Sequence, residues 1–177
     1  MLTQLETAEQ YEDAILSAAE KHGVQPAIIL GVGSRESAWG LTLRPRSCAG
    51  TGDFTKRKPR KTRKARLPPN GLGFGRGLMQ IDYDWHEFAK TGQWRDAGAN
   101  IDYGCQVLRQ AIDYIAKKTE LQGEDLIFAG ISGYNCGAYN AYKGIKHQQC
   151  SDHYTTGGDY ASDVLNRAGW FQLHNWY

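Results

Sequence analysis

The sequence predicts one predominantly helical α+β domain, residues 1–177, with a long basic loop inserted at about 41–72. Three observations predict it. A length of 177 residues with 41% hydrophobic and 23% charged side chains is typical of a single globular domain. Apolar residues recur at helical spacing in several segments. A glycine-rich stretch at 71–77 then leads into a short apolar run that fits a β-hairpin or irregular turn.

The first two helices are predicted from signals at their ends. Thr7 and Gln10 have the spacing of a capping box, so the first helix is expected to follow them and to end at Gly23. Pro26 suits the first turn of a second helix, which is expected to end near Trp39. The chain is therefore expected to start as a pair of helices.

The second helix carries the most informative residue of the sequence. One stripe along it is formed by Ile28, Val32, Glu36 and Trp39, so a carboxyl group shares the side that faces the core. Burial favours the neutral form of a carboxyl group, and a neutral glutamic acid near pH 7 is what a general acid requires. From position alone, a structural Glu36 paired with an arginine such as Arg35 is the stronger interpretation.

Between residues 41 and 72 the helical spacing disappears. Four of the five prolines fall there, and residues 56–66 hold eight basic side chains and no acidic one. Removing these eight from the 21 basic residues leaves 13 against 19 acids, so the net charge of +2 combines an acidic body with a basic loop. A loop of this length inside a domain is usually functional or disordered.

Two further carboxylates are candidates for chemistry. Asp82 ends the apolar run after the glycine-rich stretch, and Asp53 lies in the long loop. Glycoside hydrolysis needs a second carboxylate that positions or activates water beside the acid. The alternative interpretations are a helix-capping Asp82 and an ordinary turn Asp53. The glycines themselves lack the strand–glycine–helix context of a nucleotide site.

The remaining helices are predicted from caps and from apolar spacing. Asp96 is expected to cap a strong helix. Its apolar side is formed by Ile101, Cys105, Leu108, Ile112 and Ile115. Further helices are expected over about 124–132, over 137–142, and after a cap at Asp159, which gives about six helices in all.

The sequence indicates neither a metal site nor a membrane anchor. Cys48, Cys105, Cys136 and Cys150 have no ligand-like spacing, the histidines do not cluster, and no metal or organic cofactor is expected. The four cysteines permit either two disulfides or four buried thiols. No apolar run approaches the roughly 20 residues that span a bilayer, and the polar start has no secretory signal.

Four motifs follow one another along the chain. They are PAII (26–29) leading to SRES (34–37), GFG (73–75) leading to GLMQID (77–82), ISGYNCG (131–137) and DYASDV (159–164). In this order they resemble the goose-type lysozymes and their relatives in family 23 of the glycoside hydrolases, which also contains lytic transglycosylases and chitinases. The resemblance covers about residues 10–177. It implies a lysozyme-like fold, with a small β element beside a cleft for β-1,4-linked amino sugars.

The resemblance also implies roles for individual residues. Glu36 matches the general acid of the family, and Asp82 matches an aspartate that helps to position the attacking water. Asp53 is the candidate for a second water-handling aspartate. Gln80, Tyr134, Asn135 and Tyr160 match positions that line the cleft in the family. His86, which lies outside the motifs, is a further substrate-binding candidate. With the resemblance, the catalytic interpretation of Glu36 replaces the structural one.

Three features depart from the family pattern. The interval between the helix of the general acid and the GFG turn is greatly lengthened, which is why Asp53 is only a candidate; Asn70 lies nearer the turn but cannot act as a base. Arg76 and Gly77 are inserted after the turn and are expected to reshape the β element. Cys136 stands where the family usually has alanine. The first departure leaves hydrolysis and lytic transglycosylation open.

The predicted function is cleavage of β-1,4 bonds in N-acetylated amino-sugar polymers, with peptidoglycan as the favoured substrate. The reaction is expected to invert the anomeric carbon, with Glu36 as the general acid. Inverting enzymes keep about 6.5–9.5 Å between the two carboxyl groups. Chitinase and lytic transglycosylase activities are the alternatives within the family. Nucleic-acid binding through residues 56–66 is the alternative outside enzymes, and it is disfavoured because that run has no interleaved aromatics. The protein is expected to be a monomer that acts outside the cytoplasm, through secretion or phage release.

Overall fold

A computed structural model describes residues 1–58 and 64–176, and within them the chain forms seven α-helices beside one small sheet. The helices are α1 (Leu2–Glu9), α2 (Glu12–His22), α3 (Pro26–Ser37), α4 (Ala97–Ala116), α5 (Gly123–Cys136), α6 (Ala138–Lys146) and α7 (Tyr160–Gln172). The described residues also form four 3-10 helices, Glu87–Lys90, Gln93–Arg95, Ser151–Tyr154 and Thr156–Gly158. The strands are β1 (Thr51–Gly52), β2 (Gly75–Arg76) and β3 (Ile81–Asp82), antiparallel in that order. The predicted class, predominantly helical α+β, is confirmed, and no described helix is long and apolar enough to cross a membrane.

The helix α3 is the centre of the core. Its residues 27–34 are all buried, as expected for a helix that other elements surround on every side. A Cβ at Gly31 would lie 2.5 Å from the carbonyl oxygen of Val164, so this glycine allows α3 to lie close against α7. That contact sets the position of the last turn of α3, which carries Glu36.

The predicted second helix starts at Pro26 as expected but ends two residues before Trp39. Ala38 and Trp39 both adopt left-handed conformations, with φ of 48° and 55°. The Trp39 ring therefore folds back onto Gly33, where an added Cβ would lie 2.6 Å from it, and the indole N–H donates to the carbonyl of Leu30 at 3.2 Å. The apolar members of the predicted stripe are buried and Glu36 is half-buried, although the last member, Trp39, is not helical.

The predicted capping box is wrong. Thr7 lies inside α1, where its hydroxyl donates to the carbonyl of Thr3 at 2.8 Å, so it does not stand at the start of α2 as a cap. Gln10 follows α1, and Tyr11 precedes α2 without a side-chain cap. The predicted end at Gly23 is confirmed, because this glycine closes α2 with a left-handed φ of 61°.

The later helices follow the prediction with longer bounds. Asp96 caps α4, since its Oδ1 accepts a hydrogen bond from the N–H of Ala99 at 2.8 Å, and the five predicted apolar side chains are buried. Both α5 and α6 extend four residues beyond their predicted ends. Asp159 precedes α7 as expected but makes no capping bond, and its Oδ1 is paired with Arg35 at 3.1 Å.

The long loop is partly built into the sheet. It contains β1, Arg44 pairs with Thr51 through the backbone, and Arg57 pairs in the same way with Arg66. The sequence offered no signal for the pairing of β1 with β2, because the paired residues lie more than 20 positions apart. Residues 59–63 of the basic run lie outside the described residues.

Arg76 ends β2, and Gly77 begins the turn that leads to β3. Gly77 has a left-handed φ of 67°, and a Cβ there would lie 2.4 Å from the amide of Asn100. Asn100 holds the turn, since its Oδ1 accepts from the N–H of Met79 at 2.8 Å and its Nδ2 donates to the carbonyl of Arg76 at 3.1 Å. The Arg76 side chain is fully buried, with its guanidinium 4.9 Å from the ring centroid of Tyr83.

The four cysteines are free thiols, as in the second alternative, but only Cys105 is fully buried and Cys150 is exposed. Cys105 is buried in α4, and burial raises its pKa to about 12. Cys136 lies at the end of α5, where its Sγ donates to the carbonyl of Ser132 at 3.2 Å, and burial raises its pKa to about 11. Both thiols are therefore protonated and act as small packing groups at neutral pH.

Candidate active site

One cavity of about 550 Å³ opens between α3, α5, α7 and the sheet. All eight residues singled out in the sequence line it: Glu36, Asp53, Gln80, Asp82, His86, Tyr134, Asn135 and Tyr160. The lining also includes Arg35, Arg57, Val107 and Thr156, which sequence reasoning did not select. The volume lies within the roughly 300–1,000 Å³ range of small-molecule sites. Polar side chains from distant parts of the chain therefore converge on one cleft, and their individual roles remain predictions.

Glu36 is a half-buried carboxyl group on the last turn of α3. Burial raises its pKa to about 7, while the hydrogen bond that the hydroxyl of Tyr160 donates to Oε1 and the charge of Arg35 act in the opposite direction. A large fraction of Glu36 is consequently protonated at neutral pH. This is the state in which a carboxyl group can give a proton to a leaving oxygen.

Arg35 is not the ion-pair partner of Glu36. Its guanidinium lies 2.8 Å from Asp163 and 3.1 Å from Asp159, and Asp163 is also bound by Arg167 at 2.7 Å. These carboxylates hold Arg35, and Glu36 forms no salt bridge with any residue in the described part of the chain. The structural interpretation of Glu36 as an arginine-paired carboxylate is therefore wrong.

Two tyrosines enclose Glu36 and use their hydroxyls differently. Burial, together with the nearby charge of Glu36, raises the pKa of Tyr160 well above its ordinary value, so Tyr160 stays protonated and acts as a donor. Tyr134 donates to the carbonyl of Met79 at 2.6 Å. Its hydroxyl is therefore occupied within the protein. Asn135 accepts from the N–H of Thr156 through Oδ1 at 2.9 Å, which leaves its NH₂ group to donate to a ligand.

Gln80 and His86 form a wall of the cleft that is anchored to the protein. Gln80 donates to the carbonyl of Gly77 at 2.8 Å, and Cβ atoms at Gly52 and Gly75 would lie 2.2 and 2.1 Å from its Oε1. Only glycines at these two positions leave room for the amide. The Nδ1 of His86 lies 3.2 Å from the hydroxyl of Tyr103. Burial lowers the pKa of His86 despite the opposing charge of Asp82, so it is neutral at pH 7.

Arg57 forms ion pairs with the aspartates of the cleft, and the sequence did not identify this arginine as a site residue. Its Nη2 lies 2.5 Å from Oδ2 of Asp53 and 2.7 Å from Oδ2 of Asp82, and its Nη1 lies 3.2 Å from Oδ2 of Asp84. The guanidinium also stacks over Phe74, with 3.9 Å between its carbon and the ring centroid. One residue of the basic run therefore belongs to the site, and nothing in a run of eight similar side chains singles it out.

Asp82 is fixed through both of its oxygens. Oδ1 accepts from the N–H of Asp84 at 2.8 Å, which closes the turn after β3, and Oδ2 is bound to Arg57. The alternative of a helix cap is wrong, because the following 3-10 helix begins at Glu87 and has no side-chain cap. Asp82 thus combines a turn-closing bond with a position in the cleft.

Asp53 is the more exposed of the two cleft aspartates. Burial alone would raise the pKa of Asp53, but hydrogen bonds from Arg57 and from the N–H of Thr55 outweigh it and hold the pKa below its usual range. The residue has a left-handed φ of 48°, typical of an aspartate in a turn. Asp53 is therefore ionised across the physiological range and is a weaker base than an unpaired aspartate.

Comparison with known proteins gives one consistent result. A family model described as lysozyme g matches residues 2–175. Lysozyme g of Casuarius casuarius is 32% identical over 173 residues, which cover 97% of this chain and 78% of that protein. Lysozyme g of Struthio camelus is also 32% identical over 173 residues, covering 97% and 71%. Lysozyme g of Epinephelus coioides is 30% identical over 167 residues, covering 93% and 75%.

Proposed function

The chain belongs to the lysozyme g family and is a glycosidase with a lysozyme-like fold, and we propose that it hydrolyses the β-1,4 bonds of peptidoglycan with inversion at the sugar carbon. The observation that carries the proposal is the carboxyl group of Glu36, with a pKa of about 7, in the cleft that also holds Asp82 and Asp53. A neutral acid and an ionised carboxylate in one cleft are the two groups that this reaction requires.

The reaction is a single displacement. Glu36 gives its proton to the glycosidic oxygen as the bond between that oxygen and the anomeric carbon breaks. A water molecule held by Asp82 attacks the opposite face of the anomeric carbon, and Asp82 accepts the proton that the water loses. Arg57 positions Asp82, and Asp53 shares the same guanidinium. Proton exchange with solvent then restores both carboxyl groups.

The charge beside the cleft supports peptidoglycan over a neutral chitin chain. Arg57 lines the cleft itself, and the basic side chains of Lys58 and Arg66 belong to the same loop. Peptidoglycan carries carboxylates on its peptides, so a positive loop attracts it over distances of about one Debye length, roughly 8–10 Å at physiological salt. Because this polymer lies outside the cytoplasm, we place the site of action there.

Analysis of the products tests the proposed function. Purified peptidoglycan is incubated with the protein, and the soluble fragments are weighed by mass spectrometry. Hydrolysis adds one water to each cleaved bond and gives reducing ends. Fragments with 1,6-anhydro ends would instead assign the protein to the lytic transglycosylases, and cleavage of chitin oligomers without cleavage of peptidoglycan would assign it to the chitinases.

Tyr160→Phe is expected to shift the alkaline limb of activity to higher pH. Activity falls as Glu36 loses its proton, so the wild-type limb lies near the Glu36 pKa of about 7. The hydroxyl of Tyr160 donates to Glu36 and stabilises the carboxylate, which lowers this pKa. Without that bond the pKa rises, and the active acid form persists to higher pH. The measurement is kcat/KM on peptidoglycan as a function of pH.

Tyr134→Phe is the matched control for this pH profile. Its hydroxyl donates to the carbonyl of Met79 and not to Glu36, so its loss is expected to lower stability without the upward shift of the limb. An unchanged or lower limb in Tyr160→Phe would contradict the assignment of that limb to Glu36.

A further inference from the structure

A second cavity lies against the cleft, on the other side of Arg57. It has a volume of about 710 Å³, and Arg57 lines both cavities. Asp82 lines the first cavity and Asp84 lines the second, although only one residue separates them. A polymer bound in the cleft could therefore extend a branch past Arg57 into the second cavity.

The second cavity is strongly basic. Its lining contains Arg57, Lys58, Arg66 and Lys90 but only one carboxylate, Asp84. Arg57 is paired with the aspartates, and Lys90 is paired with Glu87 at 2.5 Å. Lys58 and Arg66 are exposed and form no salt bridge with any residue that the structure describes. Two positive charges of the loop are therefore available to an anionic ligand.

The same cavity has an apolar surface. Trp85 is 80% exposed, and Leu67, Pro68, Pro69 and Tyr83 also contribute to the lining. An exposed tryptophan beside prolines and a leucine is suited to bind alkyl groups, because contact removes apolar surface from water. A neutral sugar chain would use the aromatic ring but not the lysine and arginine. A short peptide with carboxylates and methyl groups would use both.

We propose that this second cavity binds the acidic peptide branch of peptidoglycan while the sugar backbone occupies the cleft. The inference rests on the proposed function, and it names the part of the substrate that the inserted loop recognises. Two features support it: the excess of positive charge at Lys58 and Arg66, and the position of Arg57 in the lining of both cavities. The volume is large enough for a few amino acid residues.

The test compares two double variants on two substrates. Lys58→Gln with Arg66→Gln removes the charges that the cavity offers. Lys117→Gln with Lys118→Gln removes the same net charge at the end of α4, from exposed residues that do not line either cavity. The substrates are intact peptidoglycan and the same glycan chains after an amidase has removed the peptides.

The cavity variant is expected to lose about tenfold in kcat/KM on intact peptidoglycan, the equivalent of one hydrogen bond to a charged group. On the peptide-free chains it is expected to match the wild type, and the control variant is expected to match it on both substrates. Equal losses of the cavity variant on both substrates would overturn the proposal. Equal losses in the two double variants would also overturn it, because general attraction between the charges would then suffice.

A binding measurement separates this inference from the proposed function. The free peptide released by the amidase is titrated against the protein, and this readout needs no cleavage. We expect binding to the wild type and to the control variant, and about tenfold weaker binding to the cavity variant. No binding to the wild type, or tighter binding of a single-stranded oligonucleotide than of the peptide, would overturn the proposal. Failure of the wild type to cleave either substrate would count against the proposed function alone.

Discussion

Glu36→Gln is expected to lower kcat on peptidoglycan by about 10²- to 10⁴-fold, the usual contribution of a positioned general acid. The amide has nearly the same shape and keeps an oxygen that accepts the hydrogen bond from Tyr160, so the cleft is expected to retain its geometry. It has no proton to give to the glycosidic oxygen. KM is expected to change little, because the sugar contacts of the cleft are retained.

Stability measurements distinguish loss of the acid from loss of the fold. The pKa of Glu36 is higher in the folded protein than in the unfolded chain, so ionisation of this group destabilises the fold as pH rises through the window from 4.5 to about 7. Above pH 7, Glu36→Gln is therefore expected to unfold at the same temperature as the wild type or at a higher one. Glu124→Gln, at an exposed position in the first turn of α5, is the control. Full activity of Glu36→Gln would contradict its role as the acid.

Asp82→Asn is expected to reduce kcat by about 10²-fold, because the water loses the carboxylate that orients it and takes its proton. Arg57→Ala is expected to reduce kcat by about tenfold, because Arg57 binds Oδ2 of Asp82 and acts on the reaction only by positioning that carboxylate. The variant with both changes is then expected to be no slower than Asp82→Asn, within about twofold. The measurement is a double-mutant cycle on kcat, with KM recorded separately.

Arg57→Lys provides the conservative comparison. A lysine can pair with one carboxylate but cannot bind Asp53 and Asp82 with the planar geometry of a guanidinium, so partial recovery of kcat is expected. Independent losses that multiply in the double variant would contradict a positioning role. They would show that Arg57 acts independently of Asp82.

Much of the helical body can be predicted from local patterns. The Asp96 cap, the left-handed Gly23 and the first-turn Pro26 are local signals, and each marks a helix end in the structure. The capping box at Thr7 failed because a threonine inside a helix satisfies its hydroxyl with the carbonyl four residues earlier. The strand β1 was missed because it pairs with β2, which lies more than 20 residues further along the chain, and local hydrophobic periodicity does not reveal such a pairing.

The residues of the site likewise include some that the sequence predicts and some that only the tertiary structure reveals. The stripe on α3 placed Glu36, and the family motifs placed Gln80, Asp82, Tyr134, Asn135 and Tyr160. Asp53 and His86 were candidates from outside the motifs, and all eight residues line one cavity. Position alone favoured a pairing of Glu36 with Arg35, and only the tertiary contacts show that Asp159 and Asp163 hold that arginine. Arg57 could not be distinguished from the other basic residues of its run. Its backbone pairing with Arg66 and its contact with the cleft depend on how the inserted loop folds over the sheet.

The anomeric configuration of the first product tests the central claim most directly. A single displacement with water held opposite Glu36 inverts the anomeric carbon, so proton NMR in the first minutes of digestion is expected to show new reducing ends in the α form, before mutarotation mixes them. Glu36→Gln is expected to give no such signal on the same timescale. New ends that appear first in the β form, or products without reducing ends, would contradict the mechanism.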